Sequence, residues 1–128
     1  MTEWFLALSG LLGLWAAAAP SGDLANGRAV FTQCAACHSM DPAAETLGPT
    51  LRGVVGRKAG AVESYVYSPP MRRSEVVWTP AVLDAFLVDP QSVVRGTKMP
   101  FSGLPTAKDR QDLIAYLSSV DGAPAEGR

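Results

Sequence analysis

Cys34-Ala35-Ala36-Cys37-His38 gathers the chain's two cysteines and its one histidine into five consecutive residues. The spacing carries the chemistry. On a helical turn, positions three apart share a face, so both sulfurs point the same way and the imidazole follows directly behind them. Two thiols so placed can reach the two vinyl groups of one porphyrin, and the imidazole can reach its iron from the same side. C-x-x-C-H is the attachment pattern of c-type haem. Covalent attachment also means that the chain need not bury the macrocycle completely. Other uses of these residues fit less well. A disulfide within C-x-x-C leaves His38 unexplained. A thioredoxin-like redox pair needs a βαβ context, which is absent. A zinc site needs four ligands, and two cysteines plus one histidine are the only soft or nitrogen ligands available.

An iron held by His38 needs its second axial ligand from the other face of the ring. With no second histidine, the candidates are methionines. Met40 lies two residues from His38 and cannot cross the ring. Met71 sits in Pro69-Pro70-Met71-Arg72-Arg73, and Met99 in Gly96-Thr97-Lys98-Met99-Pro100. A lone methionine is usually core filler, so spacing alone gives Met99 only a modest advantage.

Upstream of the motif, Ser21-Gly22-Asp23 opens a helix in which Leu24, Gly27, Val30 and Phe31 recur at helical spacing as far as Cys34. Residues 41–77 show no periodicity and are broken by Pro42, Gly48-Pro49, Gly53, Gly56, Gly60 and Pro69-Pro70, which predicts one long loop region. Such a loop is unusual in a small domain unless it wraps something other than protein. Thr79-Pro80 starts a helix with a capping hydroxyl and Pro at the first helical position. Val82, Leu83, Phe86 and Leu87 form its apolar face, and Pro90 ends it. A turn over Ser92 to Arg95 closes at Gly96. Thr106-Ala107-Lys108-Asp109 resembles a capping box with Asp in place of Glu. It opens a last helix striped by Leu113, Tyr116, Leu117 and Val120, with Gly122 as its C-cap. No alternating run is long enough for a strand. The expectation is an all-α chain of three or four helices and long loops, with too few apolar residues for a deep helical core.

Trp4 to Ala19 is uncharged, ends in four alanines and precedes Pro20. It reads as the apolar region of a secretory signal, shorter than the about 20 residues that cross a bilayer comfortably. A signal peptide usually opens with Lys or Arg, whereas Met1-Thr2-Glu3 precedes this run and the first basic residue is Arg28; an uncleaved membrane anchor facing the periplasm is the alternative. Cleavage is favoured because Pro20 and Ser21 make too short a linker for a tethered carrier. The chain thus divides into a signal peptide or anchor at 1–19, one domain at 22–121 and a tail at 122–128, with the domain in the periplasm. At 128 residues, 48% hydrophobic and 18% charged, the chain is neither disordered nor large enough for two domains. Eleven basic against twelve acidic residues give no basic excess for nucleic acid.

Six motifs extend the argument: CAACH, LGPTLRGVVGRKAG, YVYS, Trp78, GTKMPF and DRQDLIAYL. In this order they resemble class I c-type cytochromes, and within them the group of mitochondrial cytochrome c and bacterial cytochrome c2, over about Gly22 to Val120. The resemblance implies a small cytochrome c fold wrapped around one haem c, covalently bound through Cys34 and Cys37, with His38 and Met99 as iron ligands. It implies that the Pro49 carbonyl accepts the second ring N–H of His38. It implies that Arg57, Tyr67 and Trp78 hydrogen-bond a haem propionate. Gly27, Phe31, Leu113, Tyr116 and Leu117 match the crossing of the first and last helices. Two positions depart from the family. Phe86 stands where many members have a Tyr whose hydroxyl touches the ligand sulfur, and Met71 where many have Asn. Thr97, the third polar member of that cluster, is retained. A drier pocket with one fewer donor to the Met99 sulfur follows.

With both axial positions filled, no site is left for a substrate, so the resemblance implies a monomeric one-electron carrier rather than an enzyme. Its implied partners are a cytochrome bc1-like donor and a cytochrome c oxidase or photosynthetic reaction centre as acceptor, with membrane contact only through them. Arg52, Arg57, Lys58, Arg72, Arg73, Arg95 and Lys98 stand against Glu63, Glu75, Asp84 and Asp89, which predicts a local, modest positive face for docking.

Overall fold

The structure is a computed structural model and describes residues 22–120. Asp23 opens α1 (Leu24–Phe31): its carboxylate accepts the Asn26 N–H at 3.1 Å, satisfying a donor that the helix itself cannot. A long irregular stretch follows, then α2 (Pro69–Arg73), α3 (Pro80–Val88), α4 (Pro90–Val93) and α5 (Ala107–Val120). Thr79 caps α3 by accepting the Val82 N–H, with Pro80 at the first helical position, as its sequence predicts. The only bridge of strand type among the described residues is an isolated antiparallel pair, Lys58–Val77.

The loop region expected over 41–77 is interrupted by α2. Pro69-Pro70 reads as punctuation, yet proline is well suited to the first helical positions, where its missing N–H has no intrahelical partner anyway. Pro90 likewise begins a helix as well as ending one. Asp89 closes α3 and caps α4, its Oδ1 accepting the Gln91 N–H at 3.2 Å. The three longer helices are those the sequence predicts. The segment 1–19 and the proposed cap Gly122 lie outside the described residues. Among the described residues, no helix is long and apolar enough to cross a membrane.

α1 crosses α5 at Gly27. A Cβ there would lie 2.0 Å from the Asp112 carbonyl oxygen and 2.8 Å from the Tyr116 Cβ, so only glycine permits the approach. Phe31 packs on Tyr116 with ring centroids 5.6 Å apart. Leu113 is 1% exposed and Leu117 3%; removing such a side chain costs roughly 2–5 kcal/mol. Arg110 ties α5 to α3, its Nε donating to Asp84 at 2.8 Å and its Nη1 to the Leu104 carbonyl at 2.8 Å.

The same crossing holds a buried carboxylate. Asp112 accepts from the Lys108 ammonium, from the Asp23 N–H at 2.8 Å and from Asn26 Nδ2 at 2.7 Å. The Lys108 bond, then those from Asp23 and Asn26, pull its pKa from 3.8 down to about 2. A carboxyl that binds its proton less readily when folded stabilises the fold above its unfolded pKa. That contribution is fully present above about pH 4 and is lost as pH falls toward 2. Acid titration followed by helical circular dichroism is expected to show Asp112→Asn less stable than the native chain at pH 6. The gap should narrow between pH 4 and 2; a constant gap would assign the bonds no electrostatic part.

Candidate functional site

The helical path of α1 continues one turn beyond Phe31: Cys34 N–H donates to the Phe31 carbonyl at 2.8 Å and His38 N–H to the Cys34 carbonyl at 2.9 Å. This turn delivers both thiols, unbonded to each other, and the imidazole to one cleft. His38 Nδ1 lies 2.7 Å from the Pro49 carbonyl oxygen. A carbonyl only accepts, so Nδ1 carries the hydrogen and Nε2 keeps its lone pair. Burial pushes the imidazole pKa down and the Arg57 cation adds to this, while the Pro49 bond opposes both. The net direction keeps His38 neutral, the form a metal binds. Burial also raises the Cys34 pKa, holding it as the thiol.

The irregular stretch after the motif forms one wall. Gly48 N–H donates to the Cys37 carbonyl at 2.7 Å, which brings the Gly48-Pro49 peptide against the His38 ring. A Cβ on Gly48 would lie 2.4 Å from His38 Cε1. Arg57 Nη1 and Nη2 donate to the carbonyls of Arg52 and Thr50 at 3.1 and 2.9 Å, fixing the 50–57 turn. Trp78 N–H donates to the Arg57 carbonyl and Gly56 N–H to the Trp78 carbonyl, both at 2.8 Å, which sets Trp78 beside Arg57. Tyr67 Oη accepts the Val62 N–H at 3.1 Å, so its own proton remains to donate. Tyr65 packs edge-on to Tyr67 at 4.8 Å and donates its hydroxyl to the Leu47 carbonyl.

α3 and the segment after α4 supply further lining. Phe86, 6% exposed, packs edge-on to Trp78 at 4.9 Å. Thr97 is 7% exposed, and its Oγ1 accepts the Met99 N–H at 3.4 Å. Met71 of α2 and Met99 both line the cleft; Met40 packs against the core and is absent from the lining.

All ten residues singled out in the sequence line this one cleft: Cys34, Cys37, His38, Pro49, Arg57, Tyr67, Trp78, Phe86, Thr97 and Met99. Its volume is about 320 Å³, and Leu51, Val54, Leu83, Leu113 and Leu117 make much of its interior. Apolar walls, two thiols, an imidazole with a free Nε2, a thioether and a few polar donors form a set that haem c fits. The sequence reading missed three contributors. Gly48 counted only as loop punctuation, and its contact with His38 is visible only in space. Tyr65 and the exposed Lys98 also line the cleft; Lys98 counts in the sequence only toward the positive face, and nothing in the spacing of either places it at the cleft.

The Cytochrome c family model matches residues 24–121. Cytochrome c of Tetrahymena pyriformis is 50% identical over 102 residues, covering 79% of this chain and 92% of its own. Cytochrome c2 of Rhodomicrobium vannielii is 42% identical over 119 residues, covering 91% and 95%. The solved structure of cytochrome cH from Methylobacterium extorquens superposes with a TM-score of 0.71 at 42% identity, over 77% of this chain and 99% of its own. With an all-helical fold, a C-x-x-C-H turn opening into an apolar cleft, and matches of this extent, the chain belongs to the cytochrome c family as a class I c-type cytochrome, an electron carrier rather than an enzyme, of a family that binds haem c covalently.

Proposed function

We propose that this chain shuttles single electrons on the periplasmic side of a membrane, between a cytochrome bc1-like donor and a terminal oxidase or photosynthetic reaction centre. Bound in the cleft, haem c supplies a one-electron couple. The observation that carries the reading is that both thiols, His38 with Nδ1 held by Pro49, and Met99 share one apolar cleft. Cys34 and Cys37 would hold haem c through thioether bonds. His38 Nε2 and the Met99 sulfur would ligate the iron of a bound haem c, leaving no ligand position for a substrate. Thioether ligation raises the reduction potential. Pro49 fixes the His38 tautomer and makes the ring a better donor. Arg57, Tyr67 and Trp78 supply the donors that a buried propionate requires, and Thr97 steadies the Met99 backbone.

Export as a monomer, with residues 1–19 removed and 22–121 as the working domain, completes the proposal; retention of 1–19 as an anchor is its alternative. Intact mass of the natively purified protein tests both points, since it reports haem attachment and the presence of the leader. The oxidised protein is expected to show a sulfur-to-iron charge-transfer band at the near-infrared edge of its spectrum, and the reduced protein to resist carbon monoxide. A missing band with fast peroxide turnover would overturn the carrier reading.

Docking by way of the cleft mouth places Lys98 at the contact. Lys58 is 3.3 Å from Glu75, so it adds no net charge to the docking face. Electron transfer to an acidic partner is therefore expected to slow modestly, severalfold rather than by orders of magnitude, as ionic strength rises from about 10 to 200 mM. Stopped-flow rates independent of salt would remove electrostatic steering from the account.

A further inference from the structure

Met99 sits on a short segment with little secondary structure to fix it. α4 ends at Val93, Gly96 turns the chain at φ 86°, and Thr97, Lys98 and Met99 follow. A methionine side chain has three rotatable bonds, so the position of its sulfur depends on how well that backbone is held. One side chain reaches back over the turn. Gln91 Oε1 accepts the Gly96 N–H at 2.9 Å, and Gln91 Nε2 donates to the Thr97 carbonyl at 2.9 Å. A single planar amide thus fixes the peptide groups on both sides of the Gly96-Thr97 unit. Gln91 is itself fixed from below: its N–H bonds the Asp89 carboxylate, and Pro90 beside it is fully buried. Thr97 passes the constraint on, since its Oγ1 accepts the Met99 N–H.

We propose that Gln91 is the positioning residue that keeps Met99 at the cleft. The inference rests on Met99 being the iron ligand. Gln91 is not itself a lining residue of the cleft; it bonds the lining residue Thr97 and acts on Met99 through the turn. Lys98 anchors the next position by donating to the Val66 carbonyl at 3.2 Å, so Gln91 and Lys98 hold the segment at two points. The amide is specific to the task. It needs an acceptor toward Gly96 and a donor toward Thr97, and glutamine carries both on one plane. Glutamate keeps the acceptor but sets a lone pair against the Thr97 carbonyl, and alanine removes both bonds.

Carbon monoxide binding to the reduced, haem-loaded protein reads how often Met99 leaves. Loss of both bonds is expected to raise the apparent affinity for carbon monoxide about tenfold in Gln91→Ala, with Gln91→Glu between it and the native chain at pH 7. Met99→Ala is the reference for a fully opened site, and Asp112→Asn is the control for destabilisation elsewhere. Carbon monoxide affinity raised in Gln91→Ala but not in Asp112→Asn supports the clamp. An unchanged Gln91→Ala beside an opened Met99→Ala overturns it, as does an equal gain in Asp112→Asn. If Met99→Ala itself does not open the site, the ligand assignment has failed instead, and the clamp with it.

Discussion

Met99→Ala is expected to convert the haem-loaded protein from one that resists carbon monoxide into one that binds it when reduced, and to lower the midpoint potential by roughly 0.1 V or more. Axial ligands span about 0.8 V among haem proteins, and a thioether lies toward the high end because it donates poorly to Fe(III). The near-infrared charge-transfer band should vanish with the sulfur. The comparison that gives this result its force is Met71→Ala. Both methionines line the cleft, so exposure to the site does not separate them. Met71 sits in a one-turn helix and is half-buried. Its truncation is expected to cost roughly 1–2 kcal/mol, below the usual range for a fully buried methionine, and to leave the band in place. Loss of the band in Met71→Ala and its survival in Met99→Ala would exchange the two assignments. A third substitution refines the picture. Phe86 packs on Trp78 with no polar group to offer the sulfur. Phe86→Tyr would add a hydroxyl at that wall; a shifted midpoint potential would show that the missing donor matters, and an unchanged one that it does not.

The parts of this molecule that the sequence states openly are those enforced by local chemistry. Thr79-Pro80 predicts the start of α3 because capping and the fixed proline φ act within one turn. The Cys34 to His38 spacing predicts a shared face because helical geometry acts over five residues. α2 escapes the same reading, since Pro69-Pro70 is compatible with both a loop and a helix start, and only the surrounding chain selects between them. The site divides along similar lines. His38, Cys34 and Cys37 are legible from spacing. Pro49, Arg57, Tyr67, Trp78 and Thr97 are reachable only through resemblance to a family, because the cleft gathers them from along the 65 positions that separate Cys34 from Met99. Gly48, Gln91 and Asp112 are visible to neither. A glycine that spares a ring, an amide that closes a turn and a carboxylate that joins two helices leave no periodic trace. Each is defined by a distance to a residue elsewhere in the chain.

Gly48→Ala is the second substitution from which a large effect is expected. The added methyl would lie 2.4, 2.7 and 2.9 Å from three atoms of the His38 ring, Cε1, Nδ1 and Nε2. The ring cannot simply swing aside, since Nδ1 is bonded to the Pro49 carbonyl and the ring's backbone to Cys34. Two relaxations are open. The Gly48-Pro49 segment can move outward, which stretches the Gly48 N–H bond to the Cys37 carbonyl and the Pro49 bond to His38 together. Alternatively the ring can turn, which keeps the wall but misdirects Nε2. Overpacking of this kind costs roughly 1–3 kcal/mol, which for a domain of this size lowers the thermal midpoint by roughly 5–20 °C. Pro49→Ala separates the contributions, because it keeps the accepting carbonyl and adds no bulk; it is expected to be markedly milder. Thermal unfolding and redox titration of the two haem-loaded variants side by side make the comparison. If Gly48→Ala matched Pro49→Ala in both midpoints, the close packing of that glycine against the imidazole would not constrain the site, and the rigidity of His38 would rest on its hydrogen bond alone.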